Sequence, residues 1–211
     1  MATKIAKPSA ELIKRAQGQT TATLHEAGGQ IGALPSTIKP VSADWYVCGP
    51  ALTVLSPPKD NLWLHRALYQ GEPGDVMVVD TGSFHEAGYW GEIMTQAAIQ
   101  VGLAGLVIDG CVRDGKLLEE LGMPIFSTGL CIRGTGKSRE ALGGVNVPIR
   151  IGEIWIFPGD LVVGDRDGVC VVPQARIEEV LDKADAREQK EASVIEEIKQ
   201  GAKTTDLYSF N

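Results

Sequence analysis

The sequence predicts an α/β domain whose sheet is mixed, or is built as two packed sheets. Short β-branched runs begin after Pro73, and two of them alternate with helical windows at 91–101 and 115–121. Further runs between 147 and 173 follow one another closely, as in a β meander. Because the runs are apolar throughout, they suit strands that are covered on both faces.

Composition limits the possible partners. The chain has 211 residues, 44% of them apolar and 22% charged, which is typical of one globular domain with a proper core. The chain has 20 Lys and Arg against 27 Asp and Glu, a net charge of −7, and no long basic stripe. Binding to nucleic acid or to an anionic membrane surface is therefore not expected. No apolar run approaches the roughly 20 residues that span a bilayer, and residues 1–10 lack the apolar core of a signal peptide. We therefore expect a cytoplasmic protein without nucleic-acid or membrane partners.

The first third of the chain reads as short helices and loops, with no strand predicted before residue 72. Apolar spacing predicts helices at 10–17, 20–27 and 61–70. Between them, turns are predicted at Gly28-Gly29 and at the prolines at positions 35, 40, 50, 57 and 58.

Strands are predicted from Pro73 onward. Pro-Gly-Asp occurs at 73–75 and again at 158–160, each time directly before an apolar run, and such turn sequences lead into strands. The predicted strands are 76–79, 106–108, 149–151, 154–157, 161–163 and 169–172.

Residues 174–201 predict one long amphipathic helix, followed by an apolar tail that contains Leu207, Tyr208 and Phe210. We expect a single α/β catalytic domain over 1–173, and a helix and tail over 174–211 that pack on a neighbouring subunit. The pattern alone is equally compatible with a helix that packs on its own domain.

Polar residues follow the strand predicted at 106–108, where ligands collect in α/β folds. A helix that begins near Gly91 would direct the free amides of Gly91, Glu92, Ile93 and Met94 towards an anion. Arg113 suits a carboxylate or keto oxygen, and Asp114 suits Mg²⁺ or Mn²⁺. Glu92 is a candidate second carboxylate, on the metal directly or through water. The alternative is a structural turn in which Arg113 and Asp114 pair with their neighbours.

Other reactive side chains form no recognisable site. His25, His65 and His85 share no motif and are expected at the surface or hydrogen-bonded in the fold, although His85 and Glu86 are expected to border the pocket. The sequence GTGKS at 134–138 lacks the first glycine of a P-loop, which favours an active-site or surface loop. The four cysteines are expected as small buried hydrophobes. No lysine lies in a β run as a Schiff base requires, so a metal is the expected electron sink.

Five segments together carry a family resemblance: PGDVMVVD, GYWGEIMTQAA, GLVIDGCVRD, GMPIF and PGDLVVGDRDGVCVVP. Over about residues 20–175 the chain resembles the RraA-like family, and within it the class II 4-hydroxy-4-methyl-2-oxoglutarate/4-carboxy-4-hydroxy-2-oxoadipate aldolases. In that family an acidic residue, twenty intervening positions and Arg-Asp mark the metal-dependent lyases, as opposed to the regulator of ribonuclease E activity. Here the acidic residue is Glu92, where Asp is more usual.

The resemblance implies a swivelling phosphohistidine-type α/β/β/α sandwich that assembles as trimers or hexamers. It also implies that Asp114 binds the metal, that Arg113 binds the substrate, and that the amides of residues 91–94 hold the pyruvate carboxylate. A glutamate of the neighbouring subunit's C-terminal helix would reach the metal's outer shell; Glu188 and Glu191 are available, and Glu191 is preferred. The implied reaction releases pyruvate from a 4-hydroxy-2-oxo acid, with oxaloacetate decarboxylation through the same enolate. The competing hypothesis is a non-catalytic regulator that binds an RNA-degrading enzyme. Tyr89, His85 and Arg133 are candidates for the wall that selects the C4 substituent.

Overall fold

The computed structural model of the chain describes residues 5–210. The first four residues of the predicted catalytic domain and the last residue of the predicted tail lie outside the described residues. The helices are α1 (Ala10–Ala16), α2 (Thr21–Ala27), α3 (Leu62–Leu68), α4 (Glu92–Val101), α5 (Gly115–Leu121), α6 (Ile177–Lys199) and α7 (Thr204–Leu207). The strands are β1 (Lys39–Pro40), β2 (Val47–Leu55), β3 (Val76–Asp80), β4 (Gly105–Ile108), β5 (Ile125–Ser127), β6 (Gly144–Val145), β7 (Ile149–Ile151), β8 (Ile154–Ile156), β9 (Leu161–Asp165) and β10 (Gly168–Val172).

One mixed sheet organises the fold, in the order β1-β5-β4-β3-β2-β9-β10, with β6 added to β2. Strands β2 to β5 are parallel, whereas β1, β6, β9 and β10 pair antiparallel with their neighbours. The two ends of this order approach each other, because Ala33 bridges to Cys170 and Lys39 Nζ donates to the Asp167 carbonyl. The prediction of an α/β domain with a mixed sheet is confirmed, and the sheet is nearly closed.

The predicted strands lack β1, β2, β5 and β6, and the expected meander was wrong. The longest strand, β2, runs through Gly49 and Pro50, where we expected only a turn. The missing N–H of Pro50 is tolerated because pairing with β9 ends at Pro50, and pairing with β3 begins only at Ala51. The expected meander is also interrupted, since β7 and β8 form a separate hairpin and β8 does not pair with β9.

Helices and a hairpin cover the sheet on both faces. Helices α3, α4 and α5 bury Leu64, Leu68, Met94 and Leu118 against one face of the parallel strands. The β7–β8 hairpin buries its isoleucines against the other face. This two-sided cover explains why β4 and residues 76–79 of β3 are apolar throughout rather than alternating.

The C-terminal helix is divided between two environments. A 3₁₀ turn over Gln174–Arg176 leads into α6, close to the predicted bounds. The first part of α6 packs within its own chain, with Ile177, Val180, Leu181 and Ala184 buried beside α1 and α2. Beyond residue 185 no residue of the described helix and tail is buried.

Two of the four cysteines match the expectation of burial: Cys111 and Cys170 are buried, whereas Cys48 and Cys131 are partly exposed. Burial raises the pKa of Cys48 to about 11 and that of Cys170 to about 12, so both thiols stay protonated at neutral pH. Among residues 5–210, no helix has the length and apolar character needed to cross a membrane.

Candidate active site

Main-chain pairing continues beyond the carboxyl ends of β3, β4 and β5. Residues 88–90, 111–113 and 129–131 lie side by side, with parallel bridges from Gly88 to Cys111 and from Val112 to Leu130. The Tyr89 amide donates to the Cys111 carbonyl at 2.9 Å, and the Arg113 amide donates to the Trp90 carbonyl at 2.9 Å. These bonds fix the turn before α4 against the turn before α5.

Gly91 and Asp114 meet at this junction. Gly91 precedes α4, and Asp114 precedes α5 with a left-handed backbone at φ 64°. Asp114 Oδ2 accepts a hydrogen bond from the Glu92 amide at 3.2 Å and lies 3.8 Å from Arg113 Nε. A Cβ atom at position 91 would stand only 2.4 Å from Oδ2, so a larger residue there would displace the Asp114 carboxylate.

A cavity of about 300 Å³ opens at the junction. The structure brings together every predicted site residue of the 91–114 segment, because all of them line this cavity: Gly91, Glu92, Ile93, Met94, Arg113 and Asp114. Glu191 does not line it. That carboxylate forms an ion pair with Arg187 of the same helix, with Oε1 and Nε 2.7 Å apart, and Glu188 is exposed nearby.

The opposite wall comes from residues that the sequence analysis did not assign. Asn61 and His65 of the α3 region line the cavity together with Gly134, Thr135 and Lys137. Asp60 holds this loop in place, since its Oδ2 accepts from the Ser138 amide at 2.5 Å. The glycine-rich composition of 134–138 was the available signal, and its interpretation as an active-site or surface loop agrees with this position.

The expectation that His85 and Glu86 border the pocket was wrong. Neither they nor Arg133 line the cavity, and Arg133 instead pairs with Glu86 at 2.8 Å on the surface. His65 takes the place expected of His85 because α3 packs beside α4. Burial, aided by the nearby Lys137 charge, lowers the pKa of His65, so this imidazole is neutral at pH 7.

The RraA-like family, described as Aldolase/RraA, matches residues 17–171, which is well over half of the chain. The chain belongs to the RraA-like family. A Halalkalibacterium halodurans protein named "Putative 4-hydroxy-4-methyl-2-oxoglutarate aldolase" is 40% identical over 164 residues, covering 78% of this chain and 77% of that protein. The resemblance inferred from the five sequence segments is thereby confirmed.

Solved structures extend the RraA-like comparison. An uncharacterized protein from Pseudomonas syringae superposes with a TM-score of 0.81 at 32% identity, covering 94% of this chain and 97% of that one. Streptomyces coelicolor RraAS2, titled an unusual member of the RNase ES inhibitor RraA protein family, gives 0.79 at 31% identity over 90% of this chain and all of that one. This chain is thus similar both to a protein named as a putative aldolase and to a member of an inhibitor family. Because the fold is common to both, the function has to be argued from the residues of the site.

Backbone donors are available at the start of α4 in this RraA-like chain. The sequence predicted four free amides, but the Glu92 amide is already bonded to Asp114. In the described chain the amides of Gly91, Ile93 and Met94 donate to no protein acceptor. Three donors, rather than four, therefore remain for an anion.

Buried hydrogen bonds stabilise the peptide that carries these donors. Trp90 Nε1 donates to Thr95 Oγ1 at 2.7 Å, and Thr95 Oγ1 donates to the Gly91 carbonyl at 3.0 Å. On the other side, Asn61 Nδ2 donates to the Tyr89 carbonyl at 2.8 Å. The start of α4 is thus preorganised before any ligand binds.

The carboxylates fit a hard divalent cation that keeps much of its water. No cluster of three or more His, Cys, Asp or Glu side chains that could hold a metal occurs among residues 5–210. Each chain can instead offer Glu92 and Asp114, and within the described residues Asp114 Oδ1 accepts no hydrogen bond. Mg²⁺ is commonly bound by one or two carboxylates, with water and ligand oxygens completing its shell.

Proposed function

We propose that this chain is a cytoplasmic, divalent-metal-dependent class II pyruvate aldolase. It would cleave 4-hydroxy-2-oxo acids, such as 4-hydroxy-4-methyl-2-oxoglutarate or 4-carboxy-4-hydroxy-2-oxoadipate, to pyruvate and a second oxo acid. The observation that carries the proposal is the convergence of Glu92, Arg113, Asp114 and the free amides of α4 on one cavity. A docking surface has no chemical need for that combination.

The substrate would bind in the orientation that its charges dictate. Its 1-carboxylate accepts from the amides of Gly91, Ile93 and Met94, next to the Arg113 guanidinium. Asp114, with Glu92 directly or through water, would hold Mg²⁺ or Mn²⁺, which when bound supplies Lewis-acid stabilisation of negative charge.

Arg113 would act when the C3–C4 bond breaks. A base takes the 4-hydroxyl proton, the electrons of the C3–C4 bond pass into the pyruvate half as an enolate, and C4 becomes the carbonyl carbon of the departing oxo acid. Protonation of the enolate at C3 then gives pyruvate. Arg113 stabilises the charge that develops on the keto oxygen. Oxaloacetate would reach the same enolate by losing CO₂, so we also propose oxaloacetate decarboxylase activity.

Pyruvate release tests the function directly. We expect the purified chain with Mg²⁺ to release pyruvate from both 4-hydroxy-4-methyl-2-oxoglutarate and oxaloacetate, and EDTA to stop both reactions until Mg²⁺ is restored. Arg113→Ala should lower kcat/KM by about 10²-fold or more, as for loss of a main electrostatic stabiliser. Arg133→Ala is the matched control, because Arg133 pairs with Glu86 outside the cavity. Rates of pyruvate release that EDTA does not change would exclude the proposed metal dependence. Wild-type activity of Arg113→Ala would exclude the proposed role of Arg113 in stabilising the enolate.

The second half of α6 supports a role in assembly. Ile195 and Ile198 are exposed on it, and the rings of Tyr208 and Phe210 stack 5.6 Å apart beyond its end. We propose a trimer or hexamer in which this segment docks on a neighbouring subunit and brings Glu191 to the outer shell of the metal there.

Mixed oligomers test the contribution of Glu191. Asp114→Ala and Glu191→Ala should each lower activity, the second by about tenfold or more. Co-expressed subunits should regain activity above either parent, since about one quarter of sites would combine both intact residues. Glu188→Ala serves as the control on the same helix. Activity of the mixture no higher than the mean of the two parents would exclude a shared site.

The similarity to RraAS2, a member of the RNase ES inhibitor RraA protein family, supports a second candidate function. A regulator of this kind would bind an RNA-degrading enzyme and release no pyruvate with any divalent cation. The pyruvate assay therefore separates the two proposals in one experiment.

A further inference from the structure

A buried oxygen beside the cavity lacks a hydrogen-bond donor. Asn61 is 6% exposed, and its Oδ1 has no partner; only Gln19 Oε1 shares this property among buried side-chain atoms of the described chain. Asn61 Nδ2 donates to the Tyr89 carbonyl at 2.8 Å, which fixes the orientation of the carboxamide, because a flip would set two oxygens against each other. Oδ1 is therefore held as an acceptor.

A buried acceptor without a hydrogen bond lowers the stability of the folded chain. Because this acceptor lies beside a cavity, we infer that its donor comes from a bound molecule. Asn61 lines the cavity, and its Nδ2 lies 3.6 Å from Met94 Sδ in the first turn of α4. The main-chain N–H of Asn61 donates to the Gly136 carbonyl. This bond joins Asn61 to the loop that carries Thr135 and Lys137, which also line the cavity. Arg113 and Asp114 enter the cavity from the loop after β4.

These positions assign different parts of a substrate to different walls. With the pyruvate half on the α4 amides and Arg113, as proposed above, the remainder of the substrate would extend towards Asn61 and His65, which line the same cavity. The remainder of a 4-hydroxy-2-oxo acid carries one donor, the C4 hydroxyl, next to the bond that breaks. Oxaloacetate has no hydroxyl there.

We propose that Asn61 Oδ1 accepts a hydrogen bond from the C4 hydroxyl of the substrate and so selects hydroxylated substrates; the inference rests on the proposed aldolase function. A carboxamide oxygen is too weakly basic to take the hydroxyl proton. Asn61 therefore orients this group, and the proton passes to a different base. Decarboxylation of oxaloacetate does not use the contact.

The test compares two reactions in the same variants. Asn61→Ala and the larger, apolar Asn61→Leu should lower kcat/KM for 4-hydroxy-4-methyl-2-oxoglutarate by about 10- to 100-fold, as for loss of a hydrogen bond to a buried group. Oxaloacetate decarboxylation should fall by a factor about tenfold smaller, because it loses only the support that Asn61 Nδ2 gives to the peptide before Gly91. Thermal unfolding of each variant checks the fold.

A structural role, or a buried water on Oδ1, predicts a different result. Because Asn61 Nδ2 also supports the peptide before Gly91, a merely structural side chain would lower both reactions by the same factor, and that outcome would overturn the inference. A wild-type chain inactive on both substrates would instead refute the proposed function itself.

A measurement on the wild-type chain covers the case in which neither variant folds. The hydroxy acid and its 4-deoxy counterpart, 4-methyl-2-oxoglutarate, are compared as competitive inhibitors of oxaloacetate decarboxylation. The deoxy compound should bind about tenfold more weakly, because it leaves Oδ1 without a donor. Equal inhibition constants would refute the contact.

Discussion

Replacing Asp114 is expected to abolish pyruvate release from both proposed substrates while the fold persists. The Asp114 carboxylate accepts a hydrogen bond from the Glu92 amide, and this is its only hydrogen bond within the described residues. Asp114→Ala removes this carboxylate, and with it the main ligand proposed for the metal. Asp114→Asn removes the negative charge but keeps the backbone conformation, because Asn tolerates the left-handed backbone at φ 64°. Ala is disfavoured there, so Asp114→Ala can also disturb the backbone.

Metal binding and activity should fall together in these variants. Titration with Mn²⁺, followed by calorimetry or paramagnetic resonance, should show tight binding to wild type with a 2-oxo acid present and little binding to either variant. Asp167→Ala, at an exposed turn before β10, should bind and turn over as wild type does. Normal turnover by Asp114→Ala, or unchanged Mn²⁺ affinity, would refute the assignment of Asp114.

Gly91→Ala is expected to lower kcat/KM by about 10²-fold, the cost of a displacement near 1 Å in a reacting site. The added Cβ would stand 2.4 Å from Asp114 Oδ2 and 3.2 Å from Arg113 Cγ. Backbone strain plays no part, because φ at Gly91 is −159° and any residue adopts such an extended conformation. The loss would come from moving the carboxylate and guanidinium apart from the α4 amides.

Gly134→Ala is the matched control for this substitution. Gly134 lines the same cavity, but a Cβ there would meet nothing within 4 Å and its φ is not positive. We expect nearly unchanged kinetics, measured as pyruvate release from both substrates. If both variants retained wild-type kinetics, the close packing of Asp114 on Gly91 would have no functional role.

The junction of Glu92, Arg113 and Asp114 was predictable because these residues are close in sequence and follow strand ends. The alternation of β3, α4, β4 and α5 appears as apolar runs separated by helical spacing, and Glu92, Arg113 and Asp114 lie within 23 positions of one another. Parallel strands bring their carboxyl ends to one edge, so the local pattern determines the junction.

The opposite wall and the central strand were not predictable in the same way. Asp60 and Ser138 are 78 positions apart, and only the completed fold brings them into contact. Strand β2 was missed because Gly49 and Pro50 read locally as a turn, whereas its pairing with β9 and β3 outweighs that preference. His65 lies in the predicted helix at 61–70 and His85 in a loop, and neither local pattern shows which one lines the cavity, because long-range packing decides this.

Main-chain hydrogen bonds join residues 88–90, 111–113 and 129–131, and this affects how the protein can evolve. These bonds run between peptide groups, so they do not depend on the side chains of Arg113 and Asp114. Chemistry can then be gained or erased by two or three substitutions without refolding the chain. A catalyst and an inert binding protein can in this way inherit the same architecture.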